Sequence, residues 1–117
     1  MEAIDCNILD WIRCDEGGSS VLVEITEIFL QETPGRLANL RQAIEKADAK
    51  TIEMIAHRLK GSSATLGAKQ MAKLCGELEK QGRTGSLLNA VTFMAQLESE
   101  FEHVHKALTK EVLTNKD

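Results

Sequence analysis

Apolar residues recur along most of this chain at steps of three and four, the spacing that gathers them on one side of an α-helix. The first run, Glu2 to Arg13, carries Ile4, Ile8, Trp11 and Ile12 and predicts a short amphipathic helix. Asp15-Glu16-Gly17-Gly18-Ser19-Ser20 interrupts it as a hinge, and Ser19 or Ser20 is expected to cap the next helix by accepting from its free N–H groups. From Val21 onward, Leu22, Ile25, Phe29, Leu37, Leu40 and Ile44 keep near-helical phase across Pro34. One long helix kinked at the proline fits this pattern. So do two helices in line, with Thr33 as N-cap and Pro34 in the first turn.

Ala47-Asp48 closes that element, and Asp48 is placed to cap a third helix carrying Ile52, Ile55, Ala56, Leu59, Ser63 and Leu66 on its inner side. Gly67 is expected to end it as a left-handed residue. Ala68 to Gln81 sets Met71, Leu74, Cys75 and Leu78 on one stripe, with Lys69, Lys73, Glu77 and Lys80 mainly outward. Gly82-Arg83-Thr84-Gly85-Ser86 reads as the next turn, with Ser86 as the cap of the last helix. That helix holds Ala90, Met94, Leu97, Phe101, Val104 and Leu108 at alternating four- and three-residue steps. At about 1.5 Å per residue it is expected to approach 40 Å and to outrun its partners, fraying from Lys110.

No strand-like alternation competes. Long amphipathic segments joined by short turns predict an all-α fold, an antiparallel up-down-up-down four-helix bundle with a short extra N-terminal helix over one end. The expected boundaries are residues 1–18 for that helix and hinge, 19–112 for the bundle and 113–117 for a tail, all within one domain. A chain of 117 residues suits one domain with a core that needs no metal or disulfide.

Composition narrows the function. No run of about eighteen apolar residues occurs, so neither a membrane span nor a signal-peptide core is expected, and a cytoplasmic location follows. Cys6, Cys14 and Cys75 form an odd set without a C-x-x-C pair, as reduced thiols would. A net charge of −4 and the absence of tyrosine, with three Phe and one Trp, argue against nucleic acid as a partner. His103 and His105 stand two apart on a helix and make a poor chelating pair. Glu102 with His105 gives one Glu-x-x-His match and no second, so no metal is expected.

The chemistry concentrates on the third helix, where His57, Lys60, Gly61 and Ala64 fall outside the apolar stripe and share one exposed row. Gly61 costs such a helix about 1 kcal/mol relative to alanine, and a solvent-facing position offers no core packing to explain it. Either His57 is one more surface histidine and Gly61 a tolerated weakness, or something must approach this surface closely.

His57, Leu59, Lys60, Gly61, Ser62, Ser63, Leu66, Gly67 and Ala68, followed by Cys75, Leu78, Glu79, Gly82 and Arg83, closely resemble the histidine-containing phosphotransfer (HPt) domain of two-component phosphorelays. The resemblance implies that His57 accepts a phosphoryl group from a receiver-domain aspartyl phosphate and passes it to another receiver aspartate. A neutral imidazole nitrogen is a competent nucleophile near pH 7. Lys60 is then the expected phosphate-stabilising cation, and Gly61 and Ala64 keep the surface low for docking. Arg83, and less directly Arg58, Lys69 and Lys73, add positive potential towards an acidic receiver pocket, with Arg58 and Arg83 expected at the docking face. Ser62 and Ser63 are expected to support the His57 neighbourhood, Ser63 nearer the core. Glu79 reads as an ordinary helical glutamate, and Gly76 as an unexplained second mid-helix glycine.

The receiver domains of response regulators and hybrid sensor kinases are the implied partners, and Mg²⁺ is expected on the receiver. There is no Gly-rich phosphate loop and no room for an ATP-binding domain, so kinase activity of its own is not expected. A monomer is the simplest assembly, and Met1 with a full set of helices leans towards a free-standing protein. The rival reading is a receiver-binding adaptor or inhibitory module that uses the bundle without the chemistry.

Overall fold

Short connections between long helices dictate the topology. In a computed structural model, which describes residues 3–13 and 18–113, the helices are α1 (Cys6–Arg13), α2 (Gly18–Glu45), α3 (Ala49–Thr65), α4 (Lys69–Thr84) and α5 (Ala90–Leu108). Residues 46–48, 66–68 and 85–89 join the last four, so each helix runs antiparallel to the one before it. The bundle measures 45 × 24 × 21 Å. Its core is the expected stripes: Leu22, Phe29, Leu37 and Leu40 from α2, Ile52, Ala56 and Leu59 from α3, Met71, Cys75 and Leu78 from α4, and Met94, Leu97, Phe101, Val104 and Leu108 from α5. Among the described residues no strand occurs and no helix is long and apolar enough to cross a membrane.

Asp48 caps α3 as expected, its carboxylate accepting from the Thr51 N–H at 3.2 Å and from the Thr51 hydroxyl at 2.7 Å. These bonds hold its carboxyl below the usual carboxylate range. Gly67 takes φ +78 just past α3. It is also tightly covered: a Cβ there would stand 2.9 Å from the backbone oxygen of Asp5. The Asp5 N–H donates to the Gly67 carbonyl at 2.9 Å, and Lys69 pairs with the Asp5 carboxylate at 2.7 Å. The N-terminal segment is thus tied to the α3–α4 turn and covers that end of the bundle.

Several expectations are corrected. Ile4, ahead of α1, and Leu9 within it are buried, while Trp11 is 74% exposed, because the helix begins only at Cys6 and Leu9 takes the inner position. Helix α2 begins at Gly18, ahead of Ser19 and Ser20, so neither is its N-cap. Cys14 and the first hinge residues lie outside the described residues. Pro34 neither breaks nor divides α2. It sits on the exposed face, where the carbonyl it leaves unbonded can meet water, while Phe29, Thr33, Leu37 and Leu40 bury the opposite side.

Helix α4 runs on through Gly82 and Arg83 to Thr84, with Gly85 as the left-handed residue at φ +78. Ser86 does not cap α5; that position belongs to Asn89, and the Ser86 N–H donates to Thr84 Oγ1. The longest helix is α2, with 28 residues against 19 in α5. Beyond α5, Thr109–Leu113 forms a π-helical turn that buries Val112, so packing continues past the point expected to fray. Residues 114–117 of the expected tail lie outside the described residues.

Candidate functional site

Helix α3 presents two unlike sides. Ile52, Ala56, Leu59 and Ser63 are buried, and the Ser63 hydroxyl satisfies itself on the Leu59 carbonyl at 2.7 Å. That bond makes Ser63 a core residue. His57 projects from the other side with its side chain 70% exposed. Gly61, one turn on, has open space where a Cβ would be, and Ala64 is exposed beyond it.

The neighbouring helix supplies the residue that sequence reasoning missed. Glu79 of α4 has a side chain only 10% exposed, and its two oxygens hold His57 and Lys60 of α3. Its Oε2 lies 2.8 Å from His57 Nδ1, and its Oε1 lies 2.7 Å from Lys60 Nζ. Lys60, then His57, hold the Glu79 carboxyl below the usual carboxylate range. An ionised carboxylate can only accept, so the proton between the two groups belongs to Nδ1. The lone pair of the neutral ring is then at Nε2, the ring nitrogen not bonded to Glu79.

A glycine of α4 makes this meeting possible. A Cβ at Gly82 would stand 2.6 Å from the Glu53 nitrogen and 2.7 Å from the Ala49 oxygen, so α3 and α4 cross there with backbone against backbone. A Cβ at Gly76 would lie 3.5 Å from Lys60 Cδ. That is ordinary contact distance, so Gly76 borders the Lys60 stem without being required by it, and nothing in the structure explains a glycine there.

The other candidates scatter. Arg58 is exposed on the far side of α3, where it lines a groove with Arg36 and Asn39 of α2 and with Met54 and Ile55. Ser62 lines the continuation of that groove beside Ile28 and Glu32. Arg83 is drawn to Glu53 at 3.7 Å, Lys73 is exposed, and Lys69 is turned to Asp5 rather than to His57. Cys75 is buried, and burial pushes its thiol up to about 12, which removes it as a nucleophile. His103 bonds Glu100 and His105 stands edge-on to Phe101, so they share no ligand. Among the described residues no cluster of three or more metal-ligating side chains occurs.

Charge is sorted by hairpin. Helices α3 and α4 carry seven Lys and Arg against three Glu, while α2 and α5 carry seven Glu against three Lys and Arg. The α3–α4 hairpin is thus basic on a chain whose net charge is −4.

Known proteins share this arrangement of helices and sequence. The crystal structure of histidine-containing phosphotransfer protein B from Pseudomonas aeruginosa superimposes with a TM-score of 0.84 at 27% identity, over 96% of both chains. The phosphorelay intermediate protein rdeA of Dictyostelium discoideum is 27% identical over 94 residues. Histidine-containing phosphotransfer protein 4 of Arabidopsis thaliana is 23% identical over 96 residues, which cover 80% of this chain and 76% of that one. Multistep phosphorelay regulator 1 of Schizosaccharomyces pombe is 35% identical over 54 residues. This chain spans 37% of the length of the Dictyostelium protein and 18% of the Schizosaccharomyces protein. The Hpt domain model matches residues 24–107, from the second turn of α2 to the end of α5, and the chain belongs to the Hpt domain family.

Proposed function

We propose that this chain is a phosphorelay intermediate that works in the cytoplasm as a monomer. In this reading His57 takes a phosphoryl group from a receiver-domain aspartyl phosphate and hands it to the aspartate of another receiver. The observation that carries the reading is the pairing of an exposed His57 with a buried, ionised Glu79 at 2.8 Å, which leaves Nε2 as the nucleophile. The names of the relatives support it, and the α5 seam, buried within one chain, supports the monomer.

The Nε2 lone pair attacks phosphorus, the bond from phosphorus to the receiver carboxylate breaks, and its electrons return to that carboxylate. Mg²⁺ held by the receiver would supply charge neutralisation at the phosphoryl oxygens. Lys60 adds a cation from this chain: its flexible stem can turn from Glu79 to the phosphoryl oxygens once they arrive. Gly61 and Ala64 leave the approach to His57 low, and the basic α3–α4 hairpin, with Arg83 and Lys73, faces an acidic receiver pocket. The chain acts as a carrier, and a separate ATP-dependent histidine kinase starts the relay.

The test is label transfer from a ³²P-labelled receiver to the purified chain, beside His57→Gln. Acid-labile, base-stable label on the wild type alone is the expected result. Receivers that bind without labelling His57 would instead make the chain a docking module.

A further inference from the structure

Phosphorylation at Nε2 leaves a ring whose next step depends on the proton at Nδ1. With that proton in place, breaking the N–P bond releases a neutral imidazole. Without it, the leaving group is an imidazolate, a far stronger base and a poorer leaving group. Resting on the phosphorelay reading, we propose that Glu79 is a positioning residue for the outgoing transfer: its carboxylate keeps the proton on Nδ1 of phosphorylated His57.

The geometry carries this beyond the resting state. Glu79 approaches the ring from the Nδ1 side at 2.8 Å, so a group added at Nε2 does not displace it. Its burial, with the side chain 10% exposed, shields the contact from solvent far more than the His57 ring is shielded. Charge-assisted hydrogen bonds of this kind are roughly twice as strong as neutral ones.

The steps balance without solvent. On arrival Nε2 forms the N–P bond, the O–P electrons return to the first receiver's carboxylate, and the Nδ1 proton stays. On departure a carboxylate oxygen of the second receiver forms an O–P bond, the N–P pair returns to Nε2, and the same proton stays. The ring turns from neutral to cationic and back while one hydrogen bond persists.

Glu79 of α4 and Lys60 of α3 are the charged groups tied to the ring, Glu79 directly and Lys60 through the same carboxylate; Glu53 and Arg83 stand one turn from them on the two helices, and Arg58 lies on the far side of α3 with Arg36 of α2. Arg83 and Glu53 occupy each other at 3.7 Å, and Arg36 is paired with Glu32 at 2.9 Å. Lys60 holds the other oxygen of Glu79 and, as a cation, works against a proton on the ring. Glu79 and Lys60 therefore pull the ring in opposite directions, which gives the test two signs.

Full-length wild type, Glu79→Gln and Lys60→Met are phosphorylated with phosphoramidate, and the ³¹P resonance of phosphohistidine is followed from about pH 6 to about pH 9.5. Glutamine still accepts a bond from Nδ1–H but carries no charge, so the ring proton is expected to leave about one pH unit lower in Glu79→Gln and at higher pH in Lys60→Met. Equal midpoints in wild type and Glu79→Gln, or shifts of the same sign in both variants, overturn the proposal. This arm needs no receiver, so its failure is distinct from failure of the relay reading.

Transfer to a receiver then separates the two directions. At about pH 8.5 donation from phosphorylated Glu79→Gln is expected to be roughly tenfold slower than from wild type, while acceptance on the alkaline side stays independent of pH in both. Donation and acceptance slowed by the same factor at every pH would reduce Glu79 to a structural residue.

Discussion

Gly82 of α4 and Glu53 of α3 touch through their backbones: a Cβ on Gly82 would stand 2.6 Å from the Glu53 nitrogen. One turn earlier on α4, Glu79 reaches His57, so this crossing sets the distance on which the site depends. Neither neighbouring atom can yield, because both belong to the α3 backbone. Gly82→Ala is expected to cost about 1–3 kcal/mol, read as a lower urea midpoint with an unchanged slope. An unaltered midpoint would contradict the close crossing.

Gly61 is the opposite case, with nothing near its missing side chain. Gly61→Ala is expected to stabilise α3 by up to about 1 kcal/mol, since alanine is the better helix former and meets no obstacle. Gly61→Gln should keep the fold and slow transfer from a receiver by tenfold or more, because a long side chain then stands beside His57. Equal transfer by both variants would remove Gly61 from the docking surface. Thermal unfolding and label transfer on the same samples read both effects.

Acid should weaken the fold through its tied carboxylates. Asp5, Asp48 and Glu79 all sit below their usual range, held by Lys69, Thr51 and Lys60 respectively. A carboxyl depressed by folding stabilises at pH above its unfolded value, about 3.9 for Asp and 4.3 for Glu, and that contribution is lost as pH falls through the folded value. The urea midpoint is expected to drop between about pH 5 and about pH 3. Lys60→Met should be less stable than wild type at neutral pH and converge on it in acid. A constant gap between the two would show that Lys60 acts through something other than Glu79.

The sorting of charge between hairpins makes a kinetic claim. Lys73→Glu, on the basic α3–α4 hairpin, is expected to lower the association rate with a receiver by several-fold to tenfold at low salt, with the difference shrinking as salt rises. Glu102→Lys, exposed on α5, should change it by less than about twofold. Stopped-flow association at two ionic strengths distinguishes them, and equal effects would mean that net charge rather than the α3–α4 face steers encounter.

The helices and their faces were legible because they rest on local rules. The stripe of α3, its Asp48 cap, the left-handed Gly67 and the whole α5 seam follow from spacing and turn chemistry within a few residues. What failed needed information from across the bundle. At Pro34 local rules left one long helix and two helices in line both open, and α2 forms as the single helix. Gly82 has the composition of a turn, yet it serves a helix crossing.

Glu79 was overlooked for the same reason, although a signal was present. It lies between Cys75 and Gly82 at helical spacing, on the inner half of α4. His57 stands nine residues before the 66–68 turn and Glu79 eleven after it, so an antiparallel hairpin brings them level. A charged residue on a buried stripe opposite a histidine was the clue. The row of His57, Lys60, Gly61 and Ala64 was legible, but not that Lys60 is already engaged.

The most direct measurement of the central claim is a complete relay in one tube: a ³²P-labelled receiver, the chain, and a second unlabelled receiver. Label is expected to pass through an acid-labile species on the wild type and appear on the second receiver, and to do neither with folded His57→Gln. Label reaching the second receiver equally well with His57→Gln, or no label on the wild type from receivers that bind it, would contradict the account.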